Sequence, residues 1–403
     1  MVKLLVKVIY FYYYFVVVKG ITSMLGLPDL FPILNIATIF VAILSISSIK
    51  YNITDTIVVL WISYCLVSSL WSNNLELSYL GFKAEVVPIL FYFIARSKFG
   101  SRNDFLDNMR YPLLFSFVCA LVLYIFPPSW YTAFKIQNID ANMSEHMIYE
   151  NTRLSGFWIW SYFIGYSSLF YIMYLTKKKI IDENSNSIFL LEIVIAAICL
   201  FLAQQRVSIA FFFLFFLATI FYAKKTGRSA NQLIYITIGI LGAGVIIYLL
   251  LISFFDSGLT DYILDRTVNK EENMVTERFD MFSVFYNKIS FFGTGLGTVG
   301  HNVYYLTGEF TIADCDYLRI PVEYGVFGSF ILLLIVVKTL FRGLRSINNN
   351  WFNLSVLLFM LVSMLGAAPL ELYTLQPYLY WYCIGQINRP LLRISNSKSM
   401  INK

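Results

Sequence analysis

Charged residues are scarce in this chain. Asp, Glu, Lys and Arg make up 13% of its 403 residues, whereas roughly 25% is usual for a soluble domain. Hydrophobic residues account for 58% and aromatic residues for 18%, a composition that suits a lipid bilayer as the solvent. No segment rich in Pro, Ser or Gly separates two polar folds. The composition therefore excludes a soluble globular protein and predicts a single integral membrane domain over residues 1–403.

Cysteine is also rare, and only Cys315 lies in a polar segment. The other cysteines lie within apolar runs: Cys65, Cys119, Cys199 and Cys383. Neither a disulfide framework nor a CxxC metal site is available.

The segment Gly295–Gly300 fits the pattern GxGxxG, but no βαβ unit surrounds it, so we reject a dinucleotide site. Asp314 and Asp316 form a DxD pattern, which is a common coincidence, and we predict no metal and no cofactor.

Twelve apolar runs approach the length of about 20 residues that a helix needs to cross a bilayer. They predict transmembrane helices over residues 4–18, 28–49, 55–71, 79–95, 111–127, 154–176, 188–204, 207–223, 232–254, 321–341, 351–369 and 377–388. The first and last runs are short for a full span. The pattern predicts an all-α, polytopic membrane protein.

Lys and Arg residues cluster between these runs, and all clusters fall on one side of the predicted bundle. The clusters are Arg96/Lys98/Arg102/Arg110, Lys177–Lys179, Lys224/Lys225/Arg228, Arg342/Arg345 and Arg389/Arg393/Lys398. The positive-inside rule makes that side the cytoplasm and places both termini there. The net charge of +6 thus reflects membrane topology, and we do not expect nucleic acid as a partner.

Two segments on the opposite, outer face are long enough to hold a site, residues 128–153 and 255–320. Arg206 lies in a tight reversal on this face, against the positive-inside trend. It is either an interfacial anchor or a clamp for phosphate, and we favour the clamp because a guanidinium binds phosphate oxygens bidentately. Arg153 precedes the next apolar helix, and alone it is typical of an anchor.

The larger outer loop carries most of the remaining candidates. His301 lies between glycine and asparagine, and an imidazole with an unperturbed pKa of about 6.5 suits proton transfer or phosphate contact. The segment Gly293–Gly300 either bends the chain or brings backbone N–H groups to an anion. Arg266, Arg278 and Arg319 are interspersed with the acids Glu277, Asp280, Glu309, Asp314 and Asp316. Within the apolar runs, Lys83, Glu85 and Glu192 should be paired or face the bundle interior.

Seven motifs occur in a fixed order along residues 150–340. They are Arg153-Leu-Ser-Gly156, Arg206, Glu277-Arg278-Phe279, Gly293-Thr-Gly295-Leu-Gly297, His301-Asn302, Asp316-Tyr317 and Glu323-Tyr-Gly-Val-Phe-Gly328. In the order and placement of these motifs, the chain resembles the O-antigen polymerase and ligase superfamily of the bacterial inner membrane. Asp316 before Glu323–Gly328 favours the Wzy-type polymerase. The ligase remains an alternative, because ligases also carry arginines and a histidine in the outer loop.

This resemblance implies a C-type glycosyltransferase-like fold with a large periplasmic loop and a multi-pass protein of the cell inner membrane. It implies transfer of a glycan from undecaprenyl pyrophosphate to a lipid-linked acceptor repeat, without a nucleotide sugar. We expect His301 or Asp316 as the base and Arg278 as a catalytic cation. Pyrophosphate and glycan contacts are expected from Arg153, Arg206, Arg278 and Arg319. Expected partners are carrier-linked glycans, membrane lipids, a chain-length regulator and a flippase.

A transporter, such as a repeat-unit flippase, is the alternative from another class, since about twelve helices suit it equally well. Transporters of that kind usually have short loops and a charged central path. Here the polar candidates gather in an outer loop, so we favour the enzyme.

Overall fold

The computed structural model describes most of the chain. The described residues are 3–7, 9–10, 31–72, 74–97, 104–138, 153–156, 161–178, 188–225, 271–307, 311–312, 314–371 and 375–390. Within these ranges the secondary structure is helical and contains no strand, which confirms the predicted all-α class. Residues 3–7 and 9–10 are helical as well.

The first helices are α1 (Phe31–Ile46), α2 (Ile53–Ser68), α3 (Leu75–Arg96, with one π-helical turn at Phe82–Val86), α4 (Asp104–Ile125), α5 (Ser129–Asn138), α6 (Ser161–Thr176) and α7 (Ile188–Leu202). They are followed by α8 (Arg206–Lys225), α9 (Glu271–Lys288), α10 (His301–Thr307), α11 (Asp316–Glu323), α12 (Gly325–Arg345), α13 (Ile347–Ser363) and α14 (Leu375–Ile387).

The start of α2 shows how local sequence sets a helix boundary. The side chain of Asn52 accepts hydrogen bonds from the backbone N–H groups of Thr54 and Asp55 at 2.8 and 3.1 Å. The Asp55 carboxylate in turn accepts from the Asn52 N–H at 2.6 Å. This reciprocal capping satisfies donors that the first helical turn leaves unpaired. Asp55 also pairs with the buried Arg96 at 2.9 Å, which joins the start of α2 to the end of α3.

Among the described residues, five helices are long and apolar enough to cross a membrane. They are Ile53–Trp71, Leu75–Arg96, Phe105–Ile125, Arg206–Lys224 and Gly325–Arg345. Large apolar side chains such as Leu60, Phe115 and Phe330 are exposed on their outer faces. A continuous apolar exterior of this kind is costly in water and suits lipid. The protein is therefore a helical membrane protein.

The predicted number of about twelve spans is not confirmed. The runs at 79–95, 188–204 and 207–223 correspond to α3, α7 and α8. The run at 377–388 corresponds to α14, which has 13 residues. A helix of that length is about 20 Å long and is shorter than the hydrocarbon core. The predicted helix 232–254 and most of 4–18 lie outside the described residues.

The segment 255–320, predicted as an outer loop, is partly helical within the described residues. It contains α9, α10 and the first part of α11. These helices are polar or short, so they lack the long apolar runs by which spans were recognised. Likewise α5 lies inside the predicted loop 128–153. Tyr324 lies between α11 and α12, and Gly325, the first residue of α12, has a positive φ of +69°. The apolar run predicted to begin at 321 is therefore divided.

Basic residues gather at one end of the bundle, which we call the basic end. Arg342 donates to the carbonyl oxygen of Arg389 at 3.3 Å, and Lys177 lies 5.7 Å from the ring of Phe352 at the start of α13. Tyr222, two residues before Lys224, stacks on Trp351 with ring centroids 4.9 Å apart. Helices α6, α8, α12 and α14 therefore end on the same side, as the charge clusters predict.

Glu192, an acid within the apolar helix α7, is paired near the basic end. Glu192 accepts from Arg110 at 2.6 Å and from the Tyr171 hydroxyl at 2.7 Å. This pairing confirms the expectation for Glu192 and closes α4, α6 and α7 around a shared polar contact.

Candidate functional site

The opposite end of the bundle holds a buried arginine surrounded by carboxylates. Arg319 is fully buried. Its Nε donates to Asp316 at 2.8 Å and its Nη1 donates to Glu85 at 2.9 Å. Glu323 accepts from the same Nη1, and Glu371 Oε2 lies 3.9 Å from Nε. We call these five side chains the Arg319 network.

Three separate elements bring these groups together. Asp316, Arg319 and Glu323 occupy positions three and four residues apart on α11 and so share one face of that helix. Glu85 comes from the π-helical turn of α3, a type of turn that is often found at functional sites. Glu371 follows the turn after α13. A long-range network of this kind depends on tertiary packing.

The glycine-rich segment wraps around the network. The N–H of Gly297 donates to Glu323 Oε1 at 2.5 Å, and the N–H of Gly295 donates to the Glu323 carbonyl oxygen at 2.9 Å. Gly297 has φ +76°, and a Cβ there would lie 2.1 Å from the Leu77 carbonyl oxygen. The segment bends the chain, and one of its N–H groups donates inward to the buried Glu323 carboxyl group. Binding of a substrate anion by this segment stays a prediction.

The motif Glu323–Gly328 fixes the start of α12 beside the network. Tyr324 donates to Glu85 Oε2 at 2.8 Å. The hydroxyl of Tyr64 contacts the carbonyl oxygens of Phe292 and Tyr324, each at 2.8 Å. A Cβ at Gly328 would lie 2.6 Å from the Tyr64 ring, so glycine permits the close packing of α2 and α12.

His301 lies between the Arg319 network and the protein surface. It is the first residue of α10, and its side chain is 31% exposed. Its Nε2 lies 3.8 Å from Oδ1 of Asp314, and its backbone N–H donates to the Glu371 carboxylate. This half-exposed position agrees with the expectation that His301 is not a core residue, and it leaves the imidazole partly accessible from outside the protein.

The charges of the network do not balance, because one guanidinium faces four carboxyl groups. Burial raises the pKa of Asp316, while the Arg319 guanidinium and the N–H of Leu370 oppose this shift. Burial likewise raises the pKa of Glu371 against the opposing charges of Arg319 and His301. An uncompensated buried carboxylate is costly, so Asp316 and Glu371 retain protons more strongly than isolated acids do.

The predicted anion contacts have different surroundings. Arg206 begins α8, is exposed, and has no side-chain hydrogen bond or ion pair within the part of the chain that the structure describes. Arg153 is half-buried. It lies beside the same reversal, since the N–H of the next residue, Leu154, donates to the Leu202 carbonyl oxygen at 3.0 Å. Arg278 lies in α9, and its side chain is outside the described residues.

The reversal with Arg206 lies at the same end of the bundle as the network. A Cβ at Gly165 of α6 would lie 2.6 Å from Gln205. One residue later, Tyr166 packs on Phe359 of α13, with ring centroids 5.3 Å apart. The last turn of α13 leads to the segment in which the Ala367 carbonyl oxygen accepts from the Asp316 N–H at 3.2 Å. Helix α6 thus connects the two regions.

Two predicted residues are placed deeper than the sequence indicates. Arg319, expected to contact pyrophosphate or glycan, is fully buried and already surrounded by carboxylates. Asp316, expected as a base, is also fully buried and accepts from Arg319 and from the Leu370 N–H at 3.0 Å. Such positions suit the support of other groups better than direct contact with a substrate.

Sequence reasoning missed Glu371 and ranked Glu85 second. The only local signal for Glu371 is a lone acid between two apolar runs. No group of three or more metal-ligating side chains with suitable geometry occurs among the described residues. The chain matches no protein-family model and no curated protein sequence. A functional proposal for this chain therefore depends on the geometry and chemistry of the site.

Proposed function

We propose that the protein is a membrane glycosyltransferase that polymerises lipid-linked oligosaccharide repeat units. It would transfer the growing glycan from undecaprenyl pyrophosphate to the non-reducing end of an acceptor repeat at the outer face of the bacterial inner membrane. The observation that carries this proposal is the convergence on Arg319 of motifs that are far apart in sequence. The segments Gly293–Gly297, His301, Asp316 and Glu323–Gly328 meet at one end of an apolar bundle, where lipid-anchored substrates can meet polar groups.

His301 is the base in this mechanism. Its imidazole takes the proton of the acceptor hydroxyl as the hydroxyl oxygen bonds to the anomeric carbon of the donor glycan. The bond between that carbon and the pyrophosphate oxygen breaks, and undecaprenyl pyrophosphate leaves with the bonding electron pair. The 31% exposure of His301 favours it over the fully buried Asp316.

Arg206 stabilises the leaving pyrophosphate. Preorganised donors that point toward developing charge supply a large part of many rate enhancements. Arg206 is exposed at the network end of the bundle, so its guanidinium is open to an anionic group. Arg153 and Arg278 remain candidates for further contacts. Arg319 acts from inside the protein by holding the carboxylates that surround it.

The surface glycan of cells that lack this protein tests the function. A polymerase leaves one repeat unit on the lipid core when it is lost. Polymer that accumulates on the carrier lipid would instead identify the ligase that transfers it to lipid A core, and complete loss of glycan would indicate the flippase. Complementation with the wild-type chain and with His301→Ala at equal expression provides the control.

A further inference from the structure

The second half of α9 leaves a row of large apolar side chains exposed. Phe282, Tyr286 and Ile289 follow one another at intervals of four and three residues, so they lie on one face of the helix. All three are exposed, and Tyr286 reaches 74%. The N–H of Ile289 donates to the Phe285 carbonyl oxygen at 2.9 Å, which extends the helical geometry to that residue. A different face of α9, with Met281 and Phe285, packs against α11. The exposed row, which we call the apolar stripe, is therefore not the face that holds α9 in the fold.

A polar stripe runs beside the apolar one. Asp280, Ser283 and Asn287 are also exposed, and the Asn287 amide donates to the Ser283 hydroxyl at 3.5 Å. Because successive residues of an α-helix are about 100° apart around its axis, these three side chains share the side of α9 next to the apolar stripe. The exposed surface of α9 is thus divided lengthwise into an apolar and a polar half. This division is typical of a helix that lies at a boundary between lipid and water.

The apolar stripe continues into the turn after α9. Phe291 and Phe292 are 59% and 57% exposed, and the Phe291 ring centroid lies 6.0 Å from that of Phe327 in the first turn of α12. Two backbone hydrogen bonds hold the turn on α12. The N–H of Val326 donates to the Ser290 carbonyl oxygen at 3.2 Å, and the N–H of Phe327 donates to the Phe291 carbonyl oxygen at 3.1 Å. The two phenylalanine rings are therefore fixed beside the start of α12, and carbonyl groups of the turn are satisfied without water, as a lipid environment requires.

Helix α12 carries the same apolar surface onward. It is one of the helices long and apolar enough to cross a membrane, and its side chains Val326, Phe330 and Leu333 are exposed. Their spacing of four and three residues places them on one face. The stripe of α9, the phenylalanine pair and this face of α12 thus form one continuous apolar surface. A soluble protein can reach only the part that lies outside the bilayer, whereas lipid can cover all of it.

We propose that residues 282–292 lie in the lipid–water interface at the network end of the bundle. The apolar stripe and both phenylalanine rings enter the bilayer, and the polar stripe faces water. Aromatic side chains are favoured in this region of a membrane. The glycine-rich segment follows directly, and its Gly295 and Gly297 N–H groups donate to Glu323, so this anchor sets the height of the Arg319 network relative to the lipid surface. The inference goes beyond the proposed function, because it holds for any activity at this end.

A spin-label depth measurement tests the inference on the full chain in vesicles of phosphatidylethanolamine and phosphatidylglycerol. The five cysteines are replaced by alanine, and a nitroxide is attached to Tyr286→Cys or, as the matched control on the polar stripe, to Asn287→Cys. Collisions with oxygen, which dissolves in lipid, and with nickel-EDTA diacetate, which stays in water, report the surroundings of each label. We expect the ratio of oxygen to nickel collisions to be several-fold higher at position 286. That ratio corresponds to a depth of about 5–10 Å below the headgroup boundary.

Two results of this measurement would overturn the inference. Equal collision ratios at positions 286 and 287 would show that the two stripes have the same surroundings. Protection of position 286 from both reagents would show that protein covers the stripe, as a second copy of this chain would.

Lipid photolabelling of the wild-type protein decides the matter if the cysteine-free chain does not fold. The same vesicles then contain a phospholipid with a diazirine in its acyl chain, and peptide mass spectrometry locates the adducts after illumination. Adducts are expected within residues 282–292 and also on the exposed face of α12 around Phe330, which serves as the internal control. Labelling of α12 without any adduct in residues 282–292 would overturn the inference.

Discussion

Gly300 and Glu371 are in direct contact at the edge of the Arg319 network. Gly300 has φ +112°, and no larger residue fits there, because a Cβ would lie 2.3 Å from both carboxylate oxygens of Glu371. The contact fixes the carboxylate against the start of α10 and links a buried charge network to a half-exposed histidine.

Gly300→Ala should therefore destabilise the protein. The added methyl group meets a carboxylate, and the left-handed backbone is unfavourable for alanine, so we expect a loss of about 1–3 kcal/mol. Thermal unfolding in detergent measures the effect. Gly366→Ala is the matched control, because an added Cβ there has no neighbour within 4 Å. Equal unfolding temperatures for the two variants would contradict the tight contact.

Removing the buried cation should be more damaging. Arg319→Leu leaves Asp316, Glu85 and Glu323 without their buried cationic partner, and breaking a buried pair on one side typically costs about 3–5 kcal/mol. Chemical denaturation in detergent, compared with the wild type, checks this value. Adding Glu323→Gln to Arg319→Leu should restore part of the stability, because one unpaired carboxylate is removed. A double variant no more stable than the single one would argue against electrostatic dependence.

Arg206→Ala should reduce activity without reducing stability. The side chain is exposed at the network end, and loss of a donor to developing charge typically lowers the rate about a hundred- to a thousandfold. Polymer length in cells with equal protein levels is the readout. Arg345→Ala, which removes an exposed arginine at the basic end, is the control and should keep normal chain lengths. Normal polymer from Arg206→Ala would remove this residue from the mechanism.

The stability of the network should depend on pH in a defined direction. Burial raises the pKa of Asp316 and Glu371, so the folded state binds protons more tightly than the unfolded state above the ordinary carboxyl pKa of about 4. Unfolding free energy must then fall as the pH rises through the raised pKa values. Melting temperatures measured from about pH 5 to 8 should decline, and Glu371→Gln should flatten the decline. A rising profile for the wild type would contradict the assignment.

Sequence patterns identify some parts of this fold better than others. The spans α2, α3, α4, α8 and α12 follow from length and hydropathy, which are local properties. Helices α9, α10 and α11 have no such signal, because α9 is polar and α10 and α11 have only seven and eight residues. The polar neighbours of His301 in the sequence predict that it is not a core residue, and its half-exposed position agrees with that prediction.

The burial of Arg319 and the role of Glu371 could not be predicted. Both depend on the approach of α3, α11 and the segment after α13. Glu85 of α3 is 234 residues from Arg319, and Leu370 is 54 residues from Asp316. From sequence alone, an arginine in a polar loop is expected to be exposed to solvent, because the free-energy cost of burying an isolated charge is prohibitive. Only the meeting of four carboxylates makes its burial possible.

Reconstitution tests the proposed function most directly. Purified protein in liposomes would be given undecaprenyl-pyrophosphate-linked repeat units and no nucleotide sugar, and products would be resolved by chain length. The wild-type protein should produce a ladder of polymers, and His301→Ala should leave the repeat units single. Absence of elongation by folded wild-type protein, or an identical ladder from His301→Ala and Arg206→Ala, would contradict the proposed function and its site.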